Sequence, residues 1–157
     1  MEIKITLFIT LLMHALIISR SFFYLVALSP VLKKLGAGQY AETRQLLLQS
    51  IQGPMQVVYL VALGANILLT AFCVINPGGW LFLGSLAALI ALLADVLLAI
   101  FFSQPLSRIM NRPVGPGVQG NGKRLRSRWF LLNHMRQALN LAGLVCLLGG
   151  MILAIKG

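Results

Sequence analysis

Hydrophobic residues fill four long runs of this chain, and polar residues collect in the stretches between them. A hydrocarbon core about 30 Å thick needs roughly 20 apolar residues for one helical crossing, so each run is long enough to span a membrane. The pattern predicts crossings at about residues 5–32, 54–75, 80–103 and 131–155, within a single domain of residues 1–157. Apolar and polar residues do not alternate with a period of two, which argues against a transmembrane β-barrel. We therefore expect an all-α polytopic membrane protein with an antiparallel four-helix bundle.

The connections between these runs are short. Residues 76–79 read Asn-Pro-Gly-Gly, which is a tight-turn signal and makes the second and third helices antiparallel neighbours. Residues 105–128 are rich in glycine, proline and basic residues and predict a flexible loop. Residues 39–52 mix polar and apolar side chains and predict a short amphipathic helix before the second crossing. This helix either lies along the membrane interface or extends the second crossing, with a bend at Gly53 and Pro54.

The charge distribution predicts an orientation. The chain carries 13 Lys and Arg against 3 Asp and Glu, and its basic residues concentrate in the first and third connections, whereas residues 76–79 carry none. The positive-inside bias then places those two connections in the cytoplasm and both termini on the other side, in a bacterial inner membrane. We expect the basic loop to contact anionic lipid head groups. No aromatic stacking platform accompanies it, so nucleic acid is not an expected partner.

Ionisable side chains within the runs are candidates for function, because inserting one costs about 2.5–3.5 kcal/mol. A depth count at about 1.5 Å per residue places Arg20, Asp95 and Asn140 at one level, in the cytoplasmic half of the bundle. Asp95 is the one acid in any crossing, which predicts an ion pair with Arg20 that Arg136 can share. This polar layer is either a substrate or proton site, or a set of contacts that fixes helix register.

Histidine and cysteine positions bear on cofactors. The same depth count makes His14 level with Asn66, nearer the outer side. His134 lies near the cytoplasmic edge, on the order of 15 Å from His14 along the membrane normal, which argues against a haem ligated by both residues. Cys73 and Cys146 are single residues in apolar helices, and no metal-ligand spacing occurs. The sequence predicts no metal and no cofactor.

Short motifs give the chain a resemblance to a known family. The fourth run opens with Trp129, His134 and Arg136 in a W-x4-H-x-R pattern that follows the basic loop. Residues 29–32 read Ser-Pro-Val-Leu at the end of the first run, and Pro105 lies in a Gln-Pro-Leu motif that closes the third. With these motifs the chain resembles the anthrone oxygenase-like family of small four-helix integral membrane proteins, many of which are catalogued only as a domain of unknown function. The resemblance implies that these are the family's characteristic positions. Some members of the family oxidise an anthrone to an anthraquinone without a recognised metal or flavin.

Three function classes remain open from the sequence. The first is a cofactor-independent oxidoreductase acting on a hydrophobic aromatic molecule, with His134 as catalytic general base and Arg136 stabilising negative charge. The second is a non-catalytic accessory subunit of a larger membrane protein complex, whose polar groups serve helix contacts. The third is a small oligomeric transporter, which ranks last because the outer half offers few polar residues.

Overall fold

Helices make up nearly all of the part of the chain that the computed structural model describes, namely residues 2–35, 37–75, 79–103, 105 and 122–156. In chain order the elements are α1 (Glu2–Phe23), a first π-helical segment (Tyr24–Leu28), α2 (Ser29–Lys34), α3 (Ala37–Cys73), α4 (Trp80–Leu98), a second π-helical segment (Ala99–Ser103) and α5 (Gly122–Lys156). The described residues contain no strand. The all-α fold class predicted from the sequence is confirmed.

Four helical stretches are long and apolar enough to cross a membrane: Glu2–Arg20, Gly53–Cys73, Trp80–Ser103 and Ser127–Ile155. They belong to α1, α3, α4 and α5. In the bundle α1 packs against α3 and α5, and α4 packs against the same two helices, so α1 and α4 stand on opposite corners. The chain is therefore a membrane-integral four-helix bundle.

The segment before the second crossing is not a separate interfacial helix. Helix α3 is continuous from Ala37 to Cys73 and has Pro54 in its interior, so residues 39–52 extend the second crossing. This is the second of the two alternatives that the sequence left open. One internal proline removes a single backbone hydrogen bond. Ending the helix at the membrane would leave several backbone groups without partners, which costs more.

The last helix begins earlier than the sequence pattern predicted. Helix α5 begins at Gly122, inside the predicted loop 105–128, so the basic residues that follow are helical. Lysine, arginine and leucine are good helix formers, and they continue the helical pattern of the apolar run. The rest of the predicted loop, residues 106–121, and residues 76–78 of the predicted turn lie outside the described residues.

The bundle buries polar residues alongside apolar ones and has an apolar exterior. Among the residues that the structure describes, the buried polar ones are Thr10, His14, Asn66, Thr70, Ser85, Asp95 and Asn140. Large apolar side chains face outward instead, for example Phe8, which is 66% exposed, and Leu60, which is 69% exposed. Lipid tails solvate such an exterior, while intramembrane polar groups turn towards the bundle interior. The distribution is that of a protein dissolved in a bilayer.

Small residues bring α4 and α5 into close contact. A Cβ atom added at Gly84 would lie 2.7 Å from the carbonyl oxygen of Cys146, and one added at Gly150 would lie 2.6 Å from that of Trp80. Such distances are below van der Waals contact, so the two backbones pack where no larger residue fits. Close approach at small residues is a common means of helix association in membranes. This contact sets the relative depth of α4 and α5.

Two adjacent glycines test the contact. We expect Gly150→Ala to lower the free energy of unfolding by about 1–3 kcal/mol, because the added methyl overlaps the α4 backbone. Gly149→Ala is the matched control, since nothing lies within 4 Å of its Cβ position, and its effect should stay within about 0.5 kcal/mol. The measurement is unfolding in mixed micelles with increasing dodecyl sulfate, followed by circular dichroism. Equal effects of the two substitutions would contradict the close packing.

Candidate functional site

Three side chains from three helices meet inside the bundle: Tyr59 of α3, Asp95 of α4 and Arg136 of α5, here called the Asp95 cluster. The Nε–H group of Arg136 donates to Asp95 Oδ1 at 2.5 Å, and its Nη2 donates to Asp95 Oδ2 at 3.2 Å. The hydroxyl of Tyr59 donates to Asp95 Oδ2 at 2.6 Å and accepts a hydrogen bond from Arg136 Nη2 at 3.2 Å. Each member thus contacts the other two.

Burial strengthens these contacts. The Asp95 side chain is 0% exposed and that of Arg136 is 17% exposed, while Tyr59 is half-buried. In a region of low dielectric constant, charge-assisted hydrogen bonds are stronger than in water, and removing one partner leaves the other charge uncompensated. Both carboxylate oxygens of Asp95 accept hydrogen bonds. The arrangement can hold a negative charge at Asp95 and can exchange a proton between the Tyr59 and Asp95 oxygens.

Apolar packing positions the cluster. Ile17, Ala62 and Leu92 form a fully buried apolar group from α1, α3 and α4, and the ring of Tyr59 packs against it. Leu92 precedes Asp95 by one turn of α4. One turn after Asp95 the second π-helical segment begins, where the Ala99 N–H bonds to the carbonyl of Asp95. π-Helical turns inside α-helices occur frequently at functional sites.

A second polar contact lies between α1 and α3. Asn66 Nδ2 donates to His14 Nε2 at 2.9 Å, and both residues are 0% exposed. The depth count had predicted that these residues are level, and the hydrogen bond confirms it. One turn away on each helix lie Thr10 and Thr70, whose hydroxyls donate to carbonyl oxygens of their own helices. The His14–Asn66 hydrogen bond is thus a polar contact between α1 and α3 that is separate from the Asp95 cluster.

The predicted ion pair between Arg20 and Asp95 is not found. Arg20 is exposed on the bundle surface, and the described residues offer it no carboxylate within ion-pair distance. Asp95 pairs with Arg136 instead, the residue that was expected only to share the pair. The reason lies in the helix arrangement. Asp95 is on α4, whose neighbours are α3 and α5, whereas Arg20 is on α1 at the opposite corner.

Asn140 is buried beside the cluster on its own helix. The residue is 1% exposed, and its Nδ2 donates to the carbonyl of Arg136, one turn earlier in α5. No hydrogen bond joins it to Arg20 or Asp95. The predicted layer of Arg20, Asp95 and Asn140 is therefore not one bonded set, although Asn140 adjoins the residue that binds Asp95.

The structure does not bring His134 and Arg136 together. Residues two positions apart on a helix point to different sides, and Arg136 points to Asp95 while His134 is exposed and its Nδ1 bonds to the Phe130 carbonyl at 2.7 Å. Trp129 is buried, with its ring edge-on to that of Phe130 at 5.5 Å. Pro105 is exposed.

The part of the chain that the structure describes contains no cluster of metal-binding side chains. There, no group of three or more His, Cys, Asp or Glu side chains is close enough to hold a metal ion. Cys73 is half-buried and Cys146 is exposed, and neither forms a disulfide.

Tyr59 is the functional candidate that the sequence analysis missed. The depth count considered ionisable and amide side chains, and tyrosine is common in membrane helices without any special role. A signal was nevertheless present. Tyr59 lies two turns before Asn66, on the same face of α3 as Ala62 and Asn66, both of which are buried. A tyrosine on the polar face of a crossing helix points inward.

Fold and site together define a membrane-integral four-helix bundle with a buried Tyr-Asp-Arg cluster. Comparison with models of known protein families, with curated proteins and with solved structures finds no match to this chain.

A double-mutant cycle tests the coupling inside the cluster. We expect Asp95→Asn and Arg136→Gln each to lower the free energy of unfolding by about 3 kcal/mol, because each leaves an unpaired buried group. The double variant should lose less free energy of unfolding than the sum of the two single losses, since neither charge then remains unpaired. Arg128→Gln is the control, because Arg128 is exposed. Additive effects, measured by unfolding in mixed micelles, would mean that the two side chains are not coupled.

Proposed function

We propose that this chain is a small integral membrane oxidoreductase of the anthrone oxygenase-like type, which oxidises a hydrophobic aromatic molecule at the Asp95 cluster. The observation that supports this most is the Tyr59 hydroxyl, which is bonded to both the carboxylate of Asp95 and the guanidinium of Arg136. A hydroxyl between a proton acceptor and a cation is suited to acid–base chemistry. The cluster replaces His134 as the proposed base, because His134 is exposed and bonded to its own helix.

The proposed chemistry begins with removal of a proton from an acidic carbon. The Tyr59 oxygen takes the proton from the substrate while its own proton passes to Asp95, and Arg136 stabilises the negative charge that develops. The substrate anion then reacts with molecular oxygen, which is the oxidant. For an anthrone, the CH2 group becomes a carbonyl with one oxygen atom, and the other oxygen atom leaves with both hydrogens as water. Anthrone and O2 thus give anthraquinone and water.

The burial of the site suits an apolar substrate. Tyr59 is half-buried and Arg136 is 17% exposed, so both border the bundle surface, while Asp95 behind them is fully enclosed. A hydrophobic molecule dissolved in the bilayer would meet Tyr59 before Asp95. This order agrees with Tyr59 as the group that contacts the substrate. A water-excluding site also strengthens the electrostatic stabilisation that Arg136 provides.

Orientation is part of the same proposal. With the basic connections in the cytoplasm and the termini outside, the Asp95 cluster lies in the cytoplasmic half of a bacterial inner membrane. The basic residues at the start of α5 would then contact anionic head groups.

Oxygen uptake tests the proposal. Purified protein in dodecyl maltoside is mixed with an anthrone, and oxygen consumption and anthraquinone absorbance are recorded against a protein-free sample, which corrects for spontaneous oxidation. We expect Tyr59→Phe and Asp95→Asn to lower the protein-dependent rate by about 10²-fold or more, the usual contribution of a general base. His134→Ala should keep a rate near that of the wild type.

Each variant is first checked for a wild-type elution volume and helix content. A rate that falls with His134→Ala but not with Tyr59→Phe would return the catalytic role to His134. No oxygen uptake above the protein-free rate, together with a stoichiometric membrane protein that co-purifies with the chain, would favour the accessory-subunit function instead.

A further inference from the structure

Arg20 lies at the depth of the Asp95 cluster. The His14–Asn66 hydrogen bond fixes the register of α1 against the antiparallel α3. Arg20 lies six residues after His14 on α1, and Leu60 lies six residues before Asn66 on α3. Arg20 is therefore level with Leu60, which is next to Tyr59 in the sequence. Mostly apolar residues continue past Arg20 in the sequence up to Leu28, which keeps this guanidinium at membrane depth.

The chain has no carboxylate side chain that can neutralise Arg20. The full sequence contains three acids, Glu2, Glu42 and Asp95. Asp95 already pairs with Arg136. Glu2 is at the other end of α1, about 27 Å from Arg20 along the helix, and Glu42 is about 25 Å before Tyr59 along α3. Two guanidinium groups therefore share one carboxylate at this level, and the site carries excess positive charge.

The lipid-facing surroundings of Arg20 are apolar, while the Asp95 cluster lies within electrostatic range of its guanidinium. Leu16, one turn before it, is 45% exposed, and Phe23, about one turn after it, is 63% exposed. These three residues follow the helical spacing of a single face. That face therefore presents a cation between two lipid-exposed apolar side chains. A ligand that matches it has a hydrophobic body and a negatively charged group.

We propose that Arg20 binds the anionic group of an amphiphilic ligand, so that the site takes hydrophobic molecules bearing a carboxylate, phenolate or phosphate. An unpaired charge at membrane depth is costly, and an anion supplied by the ligand offsets that cost. The inference rests on the proposed function and names its substrate class: an aromatic molecule with an acidic substituent, of which an anthrone that bears a carboxylate is one example. The phosphate of a phospholipid head group has the same chemistry, and the experiment separates the two sources.

Two matched fluorescent probes test the inference. Anthracene-9-carboxylate and anthracene-9-carboxamide differ in charge but little in shape, and their binding to purified protein is measured in dodecyl maltoside, a detergent without charge. We expect Arg20→Gln to weaken carboxylate binding at least 10-fold and carboxamide binding less than 2-fold. Partition of each probe into micelles is the same for both proteins and cancels in this comparison. Arg128→Gln, the same change at an exposed arginine of α5, should leave both affinities unchanged.

The inference is overturned if Arg20→Gln weakens both probes equally or neither of them, or if Arg128→Gln has the same effect. Titration with phosphatidylglycerol then identifies the source of the anion. A lipid head group is supported if phosphatidylglycerol abolishes carboxylate binding to the wild type but not the residual binding to Arg20→Gln. Unchanged carboxylate binding supports a substrate anion.

The binding experiment and the oxidation experiment can fail separately. Binding is measured without turnover, so it stands even if no anthrone is oxidised. Conversely, oxidation that depends on Tyr59 while Arg20→Gln leaves both probes unaffected would retain the proposed function and remove the anion site.

Discussion

The ion pair between Asp95 and Arg136 is the contact on which the arrangement of the bundle depends. A carboxylate enclosed in a membrane protein is costly unless it is paired and hydrogen-bonded, and Asp95 has both kinds of partner through Arg136 and Tyr59. These three residues come from α3, α4 and α5. The pair therefore does more than neutralise a charge: it couples the depth and rotation of three helices, and a slip of any one would separate the carboxylate from a partner.

Glycine packing makes this pair geometrically possible. Gly84 and Gly150 let the α4 and α5 backbones approach at the end of the bundle away from Asp95. Two rigid helices held at one end in a defined register keep that register along their length, so the contact determines where Arg136 meets Asp95. Lipid provides little driving force for the association of apolar helices, and close backbone packing and polar contacts supply it. Here α4 and α5 use both.

The sequence was sufficient for the class of fold and the His14–Asn66 contact. These follow from helix length and rise, which are the same in every helix. The sequence was not sufficient to identify the ion-pair partner of Asp95. Depth says which residues are level, whereas the ion pair depends on which helices are neighbours, and α1 lies across the bundle from α4. Tyr59 was missed for a different reason: its hydroxyl is weakly polar, and only its position on the buried face of α3 distinguishes it. The early start of α5 was missed because glycine and proline before Gly122 hid a helix-forming basic stretch.

The wrong prediction for Arg20 leads to the charge argument. Had Arg20 been the partner of Asp95, this level of the bundle would still hold one ion pair, and Arg136 would carry the excess charge instead. With Asp95 bonded to Arg136 through two nitrogens, the excess charge lies on Arg20, on the lipid-exposed face of α1 and within electrostatic range of the cluster. The count of acids in the sequence is fixed, so rearranging side chains relocates this excess charge but does not remove it. An anion from outside the chain is the remaining way to neutralise it, and the carboxylate, phenolate or phosphate of the proposed ligand would supply one.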